Sequence, residues 1–124
     1  MARWFYRYAP ILHRWNGSER YVGVLVHAPE TGFFEVALLD RGDLMRRLWD
    51  VPRKEIDRLC EVTQQLEQLG RGQSGEPGLL ERLNGRSREA VVVGAVHDGA
   101  THSLPWAVEQ HFNEYAHPEI AEIG

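Results

Sequence analysis

The sequence contains one cysteine, Cys60, and one lysine, Lys54. A lone cysteine excludes an internal disulfide and a cysteine-rich zinc site. Long apolar runs are missing as well. The longest, Ala90–Val96, falls far short of the ~20 residues a bilayer requires. The opening Met1-Ala2-Arg3-Trp4-Phe5-Tyr6-Arg7 builds no signal-peptide core, because Arg7 interrupts it after three apolar residues. These absences predict a soluble cytoplasmic protein with no membrane partner. No G-x-S-x-G elbow, no H-E-x-x-H pair and no internal repeat is present.

The 124 residues are 43% hydrophobic and 26% charged. That composition fits one α+β domain over residues 1–124 rather than a disordered tail or a coiled coil. The formal net charge is -4 and the pI is about 5.8, which disfavours direct nucleic-acid binding. The charge is uneven. Residues 1–58 hold ten Arg/Lys against eight Asp/Glu, and residues 59–124 hold four against ten. From Pro105 onward the only formal charges are those of Glu109, Glu114, Glu119 and Glu122, which predicts an acidic C-terminal face. Thirteen of the fourteen basic residues are arginine, the cation suited to bidentate contacts and ring stacking.

Arg20–Ala28 alternates Val22, Val24 and Val26 with Gly23, Leu25 and His27, the pattern of a strand inside a sheet. Pro29–Gly32 makes a turn, and Phe33–Asp40 returns as the second arm of an antiparallel hairpin. Arg3–Tyr8 is aromatic and β-prone, with Pro10 expected to end it and Trp15–Ser18 to form a loop. Asp43 is the expected cap of a short helix through Trp49. Pro52 opens a longer helix with Ile56, Leu59, Cys60, Thr63, Leu66 and Leu69 on one stripe. Gly70–Gly78 reads as a flexible linker. Leu79–Leu83 follows as a short helix stopped at Asn84-Gly85, then a buried, central strand at Ala90–Val96. Asp98-Gly99 reads as a turn. Ser103 caps a last helix carrying Leu104, Val108, Phe112 and Tyr115, which His117-Pro118 ends. The predicted fold is a mostly antiparallel sheet of about four to five strands with two to three helices on at least one face.

Residues 5–40 resemble the bacterial domain-of-unknown-function family 3037. The matching elements are Arg7-Tyr8-Ala9-Pro10, the glycine–valine strand Tyr21-Val22-Gly23-Val24-Leu25-Val26, and the turn and aromatic-led strand Pro29-Glu30-Thr31-Gly32-Phe33. Where that family is expected to carry asparagine two residues before the glycine, this chain has Tyr21. The resemblance implies a small cytoplasmic bacterial protein, similar to ones often encoded beside other regulatory or kinase-like proteins; it implies no known activity and no catalytic residue.

Gly70-Arg-Gly-Gln-Ser-Gly75 spells G-x-G-x-x-G, yet it follows a helix instead of a strand, so it reads as linker and not as a phosphate loop. His97, Asp98 and His102, with His111 and His117, could ligate a metal, but their spacing matches no metal motif and no metal or cofactor is expected. Cys60 lies within an apolar stripe and reads as a buried hydrophobe rather than a nucleophile. The stronger signal is arginine mixed with aromatics. Trp4, Tyr6, Tyr8 and Trp15 accompany Arg3, Arg7, Arg14 and Arg20; Trp49 accompanies Arg46, Arg47, Arg53 and Lys54. Leu44 and Leu48 would face the core, leaving Arg46, Arg47 and Arg53 outside. These residue types dominate protein–protein hot spots. The expectation is a non-catalytic module that binds another protein or protein complex through Arg46, Arg47, Trp49, Arg53, Arg3, Arg7 and Trp15. The alternatives are a phage or mobile-element inhibitor that occludes a bacterial defence complex, a small metal-dependent enzyme using the histidines, and a homo-oligomer joined at an open sheet edge.

Overall fold

The structure, a computed structural model, describes residues 3–84, 87–88 and 91–116. Its sheet is organised around β1 (Trp4–Trp15), which runs through Pro10 instead of stopping there. A two-residue turn at Asn16-Gly17 leads directly into β2 (Ser18–Ala28). Asn16 at φ 48° and Gly17 at φ 80° are both left-handed, the geometry whose twist matches a right-twisted hairpin. β3 (Phe33–Leu38) returns beside β2 after the Pro29–Gly32 turn, in which Gly32 has φ 70°. The expected hairpin is therefore present, and β2 lies inside the sheet between β1 and β3.

The other edge of β1 is shared by two later strands. β6 (His97–Thr101) pairs antiparallel from Trp4↔Thr101 to Tyr8↔His97. β5 (Val91–Val93) pairs antiparallel from Ile11↔Val93 to His13↔Val91, and β4 (Ser87–Arg88) extends the sheet beyond β5. Pro10 sits at the seam between β6 and β5. Its carbonyl accepts from the Gly94 N–H at 2.9 Å. In a strand, a residue's nitrogen and carbonyl point to the same edge, so the N–H that proline lacks faces the seam and not the β2 ladder. Gly94 permits the approach, because a β-carbon there would lie 2.8 Å from Pro10 Cγ.

The strand order is β3-β2-β1-β5-β4, with β6 also on β1. The expected strand at Ala90–Val96 does pair with one of the first three strands, but it spans only Val91–Val93, and β1 takes the central place. Ala90 lies outside the described residues, as do Gly85, His117, Pro118, Glu119 and Glu122. Asp98 and Gly99 are in β6 rather than a turn. Six strands and four helices exceed the expected numbers within the same α+β class.

Helices cover both faces of the sheet. On one, Ala9, Ile11, Val22, Leu25 and Phe34 pack with helix α1 (Arg41–Arg47), α2 (Arg53–Gly72) and α3 (Leu79–Leu83). On the other, Tyr6, Val26 and Ala28 pack with Leu104, Ala107 and Val108 of α4 (Leu104–Tyr115). A register step pairs Ile11 with Gly23 and Leu12 with Tyr21. The extra residue, Val22, thereby joins Leu25 in one core. Ser103 caps α4 by accepting from the Trp106 N–H. The cap of α1 is Asp40 rather than Asp43: the Asp40 side chain accepts from the Asp43 N–H at 2.8 Å. Among the described residues, no helix is long and apolar enough to cross a membrane.

α2 extends three residues beyond the expected end and takes Gly70, Arg71 and Gly72 out of the linker. A β-carbon at Gly70 would sit 2.1 Å from the Phe34 ring, so glycine lets the helix lie against β3. The following turn is held to β2 by the buried His27, whose Nε2–H donates to the Ser74 carbonyl at 2.8 Å. Gly70→Ala should therefore lower unfolding free energy by about 1–3 kcal/mol through overpacking. Equilibrium urea unfolding measures this. Phe34→Leu in the same chain should recover part of the loss, so that the two substitutions are non-additive.

Candidate partner-binding surface

α1 is a seven-residue helix, and its geometry decides which of its arginines reach solvent. Leu44 and Leu48 are buried, as their spacing predicts. Position 47 lies three residues after Leu44 and shares its face. Arg47 accordingly points inward and is 0% exposed, which corrects its expected place on the surface. Its Nη1 donates to the Ala116 carbonyl at 3.1 Å. Its own carbonyl accepts from Arg20 Nη1 at 2.7 Å, and the same nitrogen donates to Asp50 Oδ1 at 2.9 Å. Burial, assisted by the charge of Arg20, pushes the Arg47 guanidinium down to about 10, so it stays protonated at neutral pH. Arg47 thus ties α1 to the end of α4.

Arg46 and Arg53 are exposed, as is Lys54. Trp49 follows α1 at 78% exposure, the most exposed large apolar side chain among the described residues. Trp15 is half-buried and stacks near His13, with ring centroids 6.5 Å apart and planes at 12°. Beside it, Pro52, Lys54, Glu55 and Arg58 line a cleft of about 280 Å³. The α1–α2 corner therefore combines two indoles with several cations.

Arg3 and Arg7 lie elsewhere. Arg7 pairs with Glu81 and with Asp98 Oδ1, the latter at 2.9 Å. Arg3 borders a second cleft, of about 460 Å³, with Ala100, Thr101, His102, Ser103 and Trp106. These residues stand at the opposite end of β1 from Trp15, so the single surface expected from sequence is divided in two. Around the second end, Trp4, Phe5 and Trp106 are 41%, 67% and 57% exposed. Phe5 and Trp106 had no place in the expected surface, because apolar aromatics read by default as core.

The histidines are also separated. His97 lies beside Tyr8, with ring centroids 5.3 Å apart, whereas His102 borders the second cleft. Among the described residues, no three His, Cys, Asp or Glu side chains converge as a metal-holding group. His111 links Tyr6 Oη (2.7 Å from Nε2) to Glu114 Oε2 (3.1 Å from Nδ1). Tyr8 stacks on it at 3.6 Å and 14°. Burial raises the Tyr6 and Tyr8 pKa values, and burial with neighbouring phenols and Glu114 takes Tyr115 to about 12. Neutral phenols suit a clamp holding α4 to the sheet better than they suit nucleophilic chemistry. The Cys60 thiol is pushed up, chiefly by burial, which fits a packing role. Gly70 and Gly72 are helical, so the glycine motif presents no phosphate loop. Of the acidic C-terminal face, Glu109 and Glu114 are exposed.

In comparisons with known proteins, the chain matches no family model, no curated protein and no solved structure.

Two predictions follow from these burials. Arg47→Ala should lower stability by roughly 3 kcal/mol, through the cavity it leaves and the Ala116 carbonyl stripped of its donor. Arg46→Ala should stay within about 0.5 kcal/mol. Chemical denaturation of the two variants distinguishes the buried arginine from the exposed one. The second concerns pH. His13 and His27 are both 1% exposed, and burial is the first cause holding both below the ordinary 6.5. Glu55 and Asp50 oppose that shift at His13, whereas Arg20 adds to it. The folded state keeps these imidazoles neutral while the unfolded chain takes up protons. Stability should be full above about 6.5 and fall as the pH drops below it. Urea midpoints measured between pH 7.5 and 5.5 should decline, and the double variant His13→Gln, His27→Gln should flatten that decline.

Proposed function

We propose that this chain is a non-catalytic module that binds a larger protein partner through the α1–α2 corner. The partner's matching surface is acidic, with an apolar recess for an indole. The observation that carries this reading is Trp49, 78% exposed on the turn that joins two helices. An indole left in water on a short, well-anchored turn gives up the stabilisation that burying it would provide, which amounts to a few kcal/mol. Tryptophan and arginine are the residue types that anchor interfaces when covered. Arg46 and Arg53, with Lys54, supply the positive rim that would steer an acidic surface, although the whole chain carries -4. Trp15 extends the apolar contact into the neighbouring cleft.

The corner is also rigid. Arg20 bridges the Arg47 carbonyl to Asp50, so the turn carrying Trp49 is pinned on both sides. Such preorganisation reduces the entropy lost on association. The hydrogen bonds of Tyr6, His111 and Glu114 fit a fold-holding role, which supports reading the exposed corner as the contact surface.

A photo-crosslinking residue placed at position 49 should capture one defined partner in the cell that encodes the chain. The same residue at Gln65, on the exposed side of α2, should capture none. Arg46→Glu with Arg53→Glu should cut capture at least tenfold while leaving the unfolding midpoint unchanged. Equal crosslinking from positions 49 and 65, or capture indifferent to the charge reversals, would refute the reading.

A further inference from the structure

We infer that the α1–α2 corner carries a proton switch: on taking up a proton, the buried His13 engages Glu55 of α2 and turns the cleft beside Trp15 from mixed charge to positive. The consequence for a partner rests on the reading of this corner as the contact surface, whereas the switch itself is a property of the free chain.

Ile11, His13 and Trp15 alternate onto the face of β1 that α1 and α2 cover. His13 has a strand on either side, opposite Arg20 of β2 and Val91 of β5, and is 1% exposed. Its Nε2 is buried with no hydrogen-bond partner among the described residues. That nitrogen faces Glu55 Oε1 at 3.7 Å, beyond hydrogen-bond range. Glu55 stands in the first turn of α2, whose cap position, Pro52, makes no side-chain cap bond. Buried polar atoms are nearly always bonded, so an orphan nitrogen aimed at a carboxylate marks a place where one proton completes the contact.

Protonation puts an N–H on both ring nitrogens. Nε2 then donates to Glu55 Oε1, and a charge-assisted bond contracts the gap to about 2.8 Å. Glu55 lines the cleft of about 280 Å³ together with Trp15, Pro52, Lys54 and Arg58. Once His13 compensates the Glu55 charge, the cleft keeps the positive charges of Lys54 and Arg58. Trp15 senses the event directly, since its ring lies 12° from parallel to the imidazole with centroids 6.5 Å apart.

The charges around His13 set where the switch operates. α2 contributes Glu55, the α1–α2 turn Asp50, and β2 Arg20. α1 contributes the apolar Leu48, and its Arg47 meets Arg20 through the Arg47 carbonyl. Burial, assisted by Arg20, holds the imidazole below its ordinary 6.5 against the pull of Glu55 and Asp50. His13 is therefore neutral near pH 7.5 and charges only below 6.5. An acidic partner seated on the cleft adds negative charge beside the ring and raises its proton affinity. By reciprocity, the proton tightens the partner.

NMR of the full chain tests the switch. The His13 ring protons should titrate below pH 6.5, and the contact between the ring and the Glu55 side chain should strengthen through the same transition. Glu55→Gln should move the transition about one pH unit lower. With the exposed Trp4, Trp49 and Trp106 replaced by phenylalanine, Trp15 emission should change with the same midpoint, and His13→Gln should abolish the change. Crosslinking from position 49 in cell extract, at about pH 7.5 and about pH 5.5, reads the consequence. Capture should rise about threefold at the lower pH, and His13→Gln should remove the rise. A ring titration indifferent to Glu55→Gln, or Trp15 emission that does not follow it, overturns the switch. Equal capture at both pH values while His13 titrates overturns its control of the partner. If position 49 captures nothing at either pH, the corner reading fails, and the ring titration, read without a partner, still decides the switch.

Discussion

The fold depends on one strand finding its neighbours along both edges. β1 pairs with β2 on one side, and on the other with β6 and then β5. Where β6 gives way to β5, the shared edge of β1 has no partner strand for its N–H. Pro10 occupies that place, having no N–H to offer, and Gly94 allows the chain to pass close beside it. Helices then cover both faces, so β1 and β2 are apolar on both sides at their centres. Three polar side chains that enter this interior are hydrogen-bonded there: His27 to Ser74, Arg47 to Ala116, and Tyr6 to His111.

The length of β1 also separates two exposed aromatic clusters. Trp15 belongs to the α1–α2 corner, and Trp4 to the edge formed by β6. The network from Arg20 through Arg47 to Ala116 keeps α1 fixed to both the sheet and α4. The two ends of β1 are therefore parts of one mechanical unit.

Local patterns were legible where the physics is local. The Pro29–Gly32 turn, the α2 stripe and the Ser103 cap appear as read, and the Val22–His27 alternation holds except at Val22, which the register step moves from the Val26 face to the Leu25 face. Asn16-Gly17 carried a strong hairpin signal, and reading it as a turn would have carried β1 through to Trp15. The errors came from positions governed by distant contacts. Pro10 looks like a terminator until β6 and β5 are known to meet beside it. Gly70 looks like a linker residue until the Phe34 ring is placed against it. Arg47 had the correct spacing for burial, but its charge argued for solvent, and the carbonyl that receives it lies 69 residues away. For the surface, Trp49 was legible by its company of arginines. Phe5 and Trp106 were not, because apolar aromatics read by default as core.

The placement of Pro10 has a further consequence during synthesis. β1, β2 and β3 leave the ribosome before β5 and β6 and can close their own hairpins, while the strands that complete β1 come from the last third of the described chain. For that interval the nascent sheet carries a bare inner margin, apolar on both sides and open to wrong pairings with neighbouring chains. A proline in the middle of that margin removes a donor and shortens any continuous stretch available to a stray strand. The residue that later marks the seam between β6 and β5 thus protects the growing polypeptide before that seam exists.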